Sequence, residues 1–210
     1  MTGRDVAHAP SLTKDQVILL QAHHEAAHAV VAHHAGMQVN SLHVRQSGDA
    51  AGWWIEGITY VVHHARQATP LALQGAAGEI AALKWLDNHG LRTAETEAAA
   101  NADHDRDDVT AILAEDGITV DWPSICDAAR NEVNVFWPQI TAVAHAAAEQ
   151  GDLTAEQITD LIRGSVDIHC FRYQHGGPDS WSTADFETYE HLAEINDQNA
   201  PTTSAYQPAA

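Results

Sequence analysis

Apolar residues first recur at helical spacing. Val17, Leu20, His24, Ala27, His28, Val31 and Ala35 fall at every third or fourth position, which sets them along one side of an α-helix. Thr13 and Gln16 form a capping-box signature ahead of that stripe, and Gly36 closes it. After Val39 the period shortens to two. Leu42 and Val44 alternate with polar residues, SGDAAG supplies a turn, and WWIEGITYVV returns with aromatic and β-branched residues. This predicts a β-hairpin. Thr69-Pro70 opens a second helix, with Pro at its first position, which carries LALQGAAGEIAALKWL to His89-Gly90. A small-residue, polar stretch leads to NADHDRDDVTAILAEDG, a short helix ending before Gly117. From Pro123 a long helical segment, kinked at Pro138, reaches Gln150-Gly151. Thr154 caps a last short helix, AEQITDLI.

The pattern predicts a mainly α fold with one small β-hairpin or sheet, of the α+β class, over residues 11–164. Residues 1–10 read as a flexible N-terminus. Residues 165–210 read as a largely irregular or disordered C-terminal extension, with a short helix near Ala184–Ile195 and a disordered APTTSAYQPAA end. No internal repeat or linker marks a second independent domain.

Charge removes some functions. Ten basic residues stand against 29 acidic ones, for a net charge of -19, and such a surface repels phosphate backbones, so no nucleic-acid partner is expected. No apolar stretch approaches the ~20 residues that span a bilayer, so no membrane partner is expected either. The first residues lack the apolar core of a signal peptide. Cys126 and Cys170 lie far apart, with no disulfide framework and no thiolate zinc site. A soluble, cytoplasmic protein is the expectation.

The chemistry sits in the first helix. His24-Glu25-Ala26-Ala27-His28 is an HExxH string. Two imidazoles four residues apart on a helix point the same way and can share one Zn²⁺, while the Glu beside the first faces a water. Two imidazoles and a carboxylate on an apolar stripe all need partners to offset burial, and one zinc satisfies the three together. A catalytic zinc needs a third protein ligand. His34 has the spacing of the last His in HExxHxxGxxH, but Val31 stands where that motif needs glycine, so the helix continues and carries His34 away. His23 and His33 also fall off the stripe or at its margin.

The remaining candidates are Glu79 in the second helix and the acidic run Asp103, Asp105, Asp107 and Asp108. Asp105 lies four residues before Val109 on the apolar stripe of its helix; Asp103 and Asp107 point away and Asp108 lies at the edge. His63-His64, at the hairpin's end, are candidates for oxyanion stabilisation, though an exposed pair is the preferred reading. Trp53 and Trp54 read as hairpin core and edge, and a free hairpin edge would let an extended peptide add as a strand.

Five segments in order resemble the peptidase domain of the FtsH-type zinc metalloproteases. HHEAAHAVVAHHAG is similar to their HEAGHAVV, and SLHVRQSGDAAGWWI resembles their strand–Gly–strand element. LALQGAAGEIAAL is similar to LAGRAAEEI, with Ala76, Ala77, Glu79 and Ile80 in matching places. ADHDRDDVTAILA resembles ASNDLxxAT, and ITAVAHAAAEQGDLTAEQITDLI resembles the closing helices. The resemblance covers roughly residues 17–163. It implies a zincin-like helix bundle in which His24, His28 and Asp105 hold Zn²⁺ and Glu25 is the general base. Glu79 then becomes a residue that orients a ligand histidine rather than the alternative ligand of a gluzincin-like site.

Ala27 stands where the family has Gly, the chain carries no GxxxxGK(S/T) motif, and the tail after Gly164 has no counterpart in the family. The function implied is an ATP-independent zinc endopeptidase acting on flexible or unfolded polypeptide, with room for a homo-oligomer or an ATPase partner in trans. Two readings of other kinds stay open: a non-proteolytic metal-binding regulator or scaffold, and a repressor-cleaving HExxH protein of a mobile element.

Overall fold

A computed structural model describes residues 4–6, 11–49, 52–62, 67–165 and 182–183. The chain divides into two compact units, residues 1–165 and 166–210; of the second, only Ser182 and Thr183 are described. The candidate helix near Ala184–Ile195, the terminal APTTSAYQPAA and Cys170 lie outside the described residues.

The first unit is α+β, mainly helical with a small antiparallel sheet. In chain order it comprises β1 (Arg4–Val6), α1 (Lys14–His34), β2 (Gln38–Asp49), β3 (Gly52–Val62), α2 (Ala68–Asn88), α3 (Ala94–Ala100) and α4 (Asp103–Glu115). Then follow α5 (Trp122–Val135), α6 (Trp137–Gln150), β4 (Asp152–Thr154) and α7 (Ala155–Gly164). Among the described residues no helix is long and apolar enough to cross a membrane.

The Thr13–Gln16 capping box forms as the sequence predicts, each side chain bonding the other's backbone N–H, an arrangement worth about 0.5–2 kcal/mol. At the other end Gly36, with φ +70°, turns the chain into the sheet. The hairpin is longer than its sequence suggests. Ser47, Gly48 and Asp49 of the expected turn continue β2, with Ser47 opposite Trp54 and Asp49 opposite Gly52. A register shift between Val39 and Ser41 lets Val39 and Leu42 both face the core although they are three apart. On β3, Ile55, Gly57 and Thr59 are buried and alternate with exposed Trp54, Glu56 and Tyr60. The sheet order is β1-β3-β2-β4; β1 and β4 are three-residue strands at the two edges, and the sequence signals neither.

Two helical expectations need correction. Pro70 is the third residue of α2, which begins at Ala68; the first four N–H groups of a helix have no partner inside it, so a proline there costs no hydrogen bond. The segment expected to kink at Pro138 is two helices, α5 and α6, parted at Phe136. Pro138 has no N–H to continue the ladder, and its ring crowds the carbonyl one turn earlier. The small-residue, polar stretch before the acidic run, to which the sequence pattern assigns no element, holds α3, capped by Thr93 with Thr96 in the place usually taken by Glu or Gln.

Helix α1 is central. It packs against α2 and α6 as well as β2 and β3, and every residue from Leu20 to Ala32 is buried. A single apolar stripe understates this, because the alanines of α1 let neighbours approach from all sides. His23, which the stripe leaves off the core, is 1% exposed. Its ring stacks on Trp137 and tilts against Trp85, and its Nδ1–H donates to the Leu19 carbonyl at 2.8 Å.

Burial lowers the His23 pKa from 6.5 to about 4, against the Leu19 hydrogen bond and with help from the charges of His145 and His89. An unfolded chain therefore takes up this proton near pH 6.5, whereas the folded one resists it down to about 4. Stability from this group is whole above 6.5 and is lost as the pH falls to 4, by about 3 kcal/mol. His23→Phe keeps an aromatic ring that cannot charge. Urea unfolding across this range, with chelator throughout, should show a flatter acid slope in the variant; equal slopes would refute the assignment.

Candidate metal centre

His24 and His28 sit one turn apart on α1 and are 2% and 1% exposed. Their rings meet edge to face and their Nε2 atoms lie 3.0 Å apart. Asp105, in the first turn of α4, brings Oδ2 to 3.0 Å from His24 Nε2 and 3.4 Å from His28 Nε2. These three are the group among the described His, Cys, Asp and Glu residues able to hold a metal ion. Bonds of ~2.0–2.1 Å to a tetrahedral ion put ligand atoms roughly 3.3–3.4 Å apart, so separations of 3.0, 3.0 and 3.4 Å fit a small divalent cation. The Nδ1–H of His28 donates to the Gln74 carbonyl at 2.7 Å. In the neutral ring that bond leaves the Nε2 lone pair facing the other two ligand atoms. His24 Nδ1 is buried without a hydrogen-bond partner.

Two glycines of α2 create the space. A Cβ on Gly78 would lie 2.6 Å from Cε1 and Nε2 of His28 and 2.8 Å from Cε1 of His24. A Cβ on Gly75 would lie 2.6 Å from Val109 Cγ2 and 3.7 Å from the Asp105 carbonyl. Gly78 therefore makes room for the imidazoles, and Gly75 lets α4 approach α2 closely enough to deliver Asp105.

The electrostatics match the geometry. Burial opposes the imidazolium at His28, but the charge and hydrogen bond of Asp105, the charge of Glu25 and the Gln74 carbonyl outweigh it and raise its pKa to about 9. Burial likewise pushes the Asp105 pKa up, yet the charges and hydrogen bonds of His28 and His24 hold it well below the usual carboxylate range. Both shifts have one cause: three electron-pair donors converge and favour a positive charge among them.

Glu25, one position after His24, turns about 100° around the helix and faces β3. It is 4% exposed. Its Oε1 accepts from Gln21 Nε2 at 2.7 Å and its Oε2 from the Thr59 hydroxyl at 2.8 Å.

The other candidates lie apart from this cluster. Glu79 is half-buried and is not among the converging ligands; its charge, after burial, helps raise the pKa of the Cys126 thiol on α5. Asp103 and Asp107 have side chains 58% and 70% exposed and pair with Arg106. His34 stacks on Phe136 and its Nε2 meets Gln139 Oε1 at 2.6 Å. His63 and His64 lie outside the described residues.

Sequence reasoning missed Gly78, Gly75, Thr59, Gln21 and Gln74. The available signals were the small-residue run GAAG inside a helical pattern, and the strand period that puts Gly57 and Thr59 on one face with Ile55. Among known proteins, no family model matches the chain and no curated protein matches it.

Proposed function

We propose that the chain is a zinc-dependent endopeptidase of the FtsH peptidase-domain type. The observation that carries this reading is the convergence of His24, His28 and Asp105 from two helices, with His24 and Asp105 81 residues apart in sequence and a buried glutamate next to the first histidine. Two imidazoles and one carboxylate suit zinc and leave a fourth position open, as catalytic zinc sites require. The resemblance of ADHDRDDVT to ASNDLxxAT supports Asp105 as the third ligand. A bound zinc would polarise the scissile carbonyl and lower the pKa of a nearby water towards ~7. Glu25 would serve as the general base, its carboxylate holding a proton during the attack and returning it to the departing amine. The proposed substrate is polypeptide already flexible or unfolded.

A second reading rests on burial. With His24, Glu25 and His28 no more than 4% exposed, the ion would serve as a staple between α1 and α4 in a non-proteolytic scaffold. One experiment separates the two. The endopeptidase should hold about one zinc per chain, cleave casein, lose cleavage to a chelator and regain it with zinc. Glu25→Gln should keep its zinc and lose roughly 10²–10⁴-fold in rate. A scaffold would show chelator-sensitive melting and no cleavage at all.

A further inference from the structure

We infer that Thr59 and Gly57 of β3, together with Gln21 of α1, form a seat that aims the Glu25 carboxylate, making Thr59 and Gln21 positioning residues for the general base. The inference rests on the endopeptidase reading.

Glutamate has three rotatable side-chain bonds, and a catalytic base must hold one orientation to within about 0.5 Å. Two donors fix Glu25. Gln21, one turn earlier on the same helix, donates its amide N–H to Oε1 at 2.7 Å. The Thr59 hydroxyl reaches Oε2 at 2.8 Å from the facing strand and also lies 3.0 Å from the Glu25 backbone carbonyl. A hydroxyl has one proton, and the shorter contact and the negative charge favour the carboxylate.

Gly57, two residues before Thr59 on the same face of β3, provides the room. A Cβ there would lie 2.3 Å from Gln21 Nε2 and 2.7 Å from Glu25 Oε1. The carboxylate has about four lone-pair sites, so two donors leave each oxygen able to accept a proton from water. Both donors are buried, Gln21 1% and Thr59 2% exposed, so bulk solvent does not replace a donor that is removed.

Thr59→Val keeps the shape and deletes the hydroxyl, whereas Thr59→Ser deletes a methyl and keeps the hydroxyl. A packing role makes Val the benign change; a positioning role makes Ser the benign one. In the zinc-loaded protein with a peptide substrate, Thr59→Val should lower kcat roughly ten- to a hundredfold, the scale of losing a hydrogen bond to a charged group. KM and zinc content should hold, and Thr59→Ser should stay near the wild type.

A second readout needs neither metal nor activity. In metal-free protein labelled with ¹⁵N, the Gln21 side-chain amide resonance should move in Thr59→Val, as the carboxylate leaves its seat, and stay in place in Thr59→Ser. A Thr59→Val protein with wild-type kcat, or with an unmoved Gln21 resonance, overturns the inference even where Glu25→Gln is inactive, and the endopeptidase reading then stands. A wild-type protein that cleaves nothing overturns both.

Discussion

Asp105→Asn is expected to empty the metal site while leaving the fold in place. The substitution keeps the size of the side chain and its capacity to hydrogen-bond His24 and His28, but it removes the one anionic donor among the three. Zinc affinity should fall by more than the roughly 10–100-fold lost when a residue that only orients a ligand is changed. Purified Asp105→Asn should carry little zinc by elemental analysis and show no cleavage. Without metal its stability should fall, because Asp105 no longer stabilises the charged His28 ring.

Asp103→Asn and Asp107→Asn serve as controls of equal charge. Both side chains are solvated and paired with Arg106, so they act on the site only through screened, long-range attraction and their zinc should survive. Glu79→Gln should also keep its zinc. If instead Glu79→Gln loses the metal and Asp105→Asn retains it, the site is gluzincin-like and the FtsH-type assignment fails.

Gly78→Ala should be equally severe, by a different physical route. On helix propensity alone the change favours α2 by up to about 1 kcal/mol. The added methyl, however, would stand 2.6 Å from two atoms of the His28 ring, well inside contact distance. That ring cannot simply swing aside, because its Nδ1–H is anchored on the Gln74 carbonyl of the same helix that carries the methyl. Overpacking of this kind typically costs about 1–3 kcal/mol, and relief requires moving α2 or breaking the His28 anchor. Either response separates the Nε2 atoms from Asp105. Zinc content should collapse although no ligand has changed, with only a modest change in the melting of the metal-free protein. Full zinc occupancy in Gly78→Ala would refute the role of Gly78 in making room for the His28 ring.

The sequence carried much of this architecture because several elements announce themselves locally. Thr13 and Thr154 each bring a Gln three residues on, and both capping boxes form. The period-two run from Trp53 to Val62 becomes β3. His24, His28 and Asp105, picked out by helical phase, lie together in space. What stayed hidden depends on partners rather than pattern. β4 has only three residues and exists because Leu153 pairs with Leu42 of β2; no local period can mark so short a strand. His23 looks peripheral on a helical wheel because a wheel assumes one buried side, and α1 has no exposed side over its central turns. Gly78 and Thr59 matter for what faces them, and a residue's neighbours across the fold are not written in its own segment.

The enclosure of α1 also governs the order in which the protein can mature. As the chain leaves the ribosome, the segment bearing His24, Glu25 and His28 emerges before the helices that enclose it. Yet α2 and α4, which complete the cluster, follow only after the hairpin, and α6, which closes the remaining flank, is not made until residue 150. Until those partners arrive the helix lacks part of the packing from which helices in proteins draw most of their stability. Once enclosed, its amides are expected to be among the slowest of the unit to exchange with solvent. The cluster is thus complete only once α4 has joined α1, and the packing around α1 then shields it.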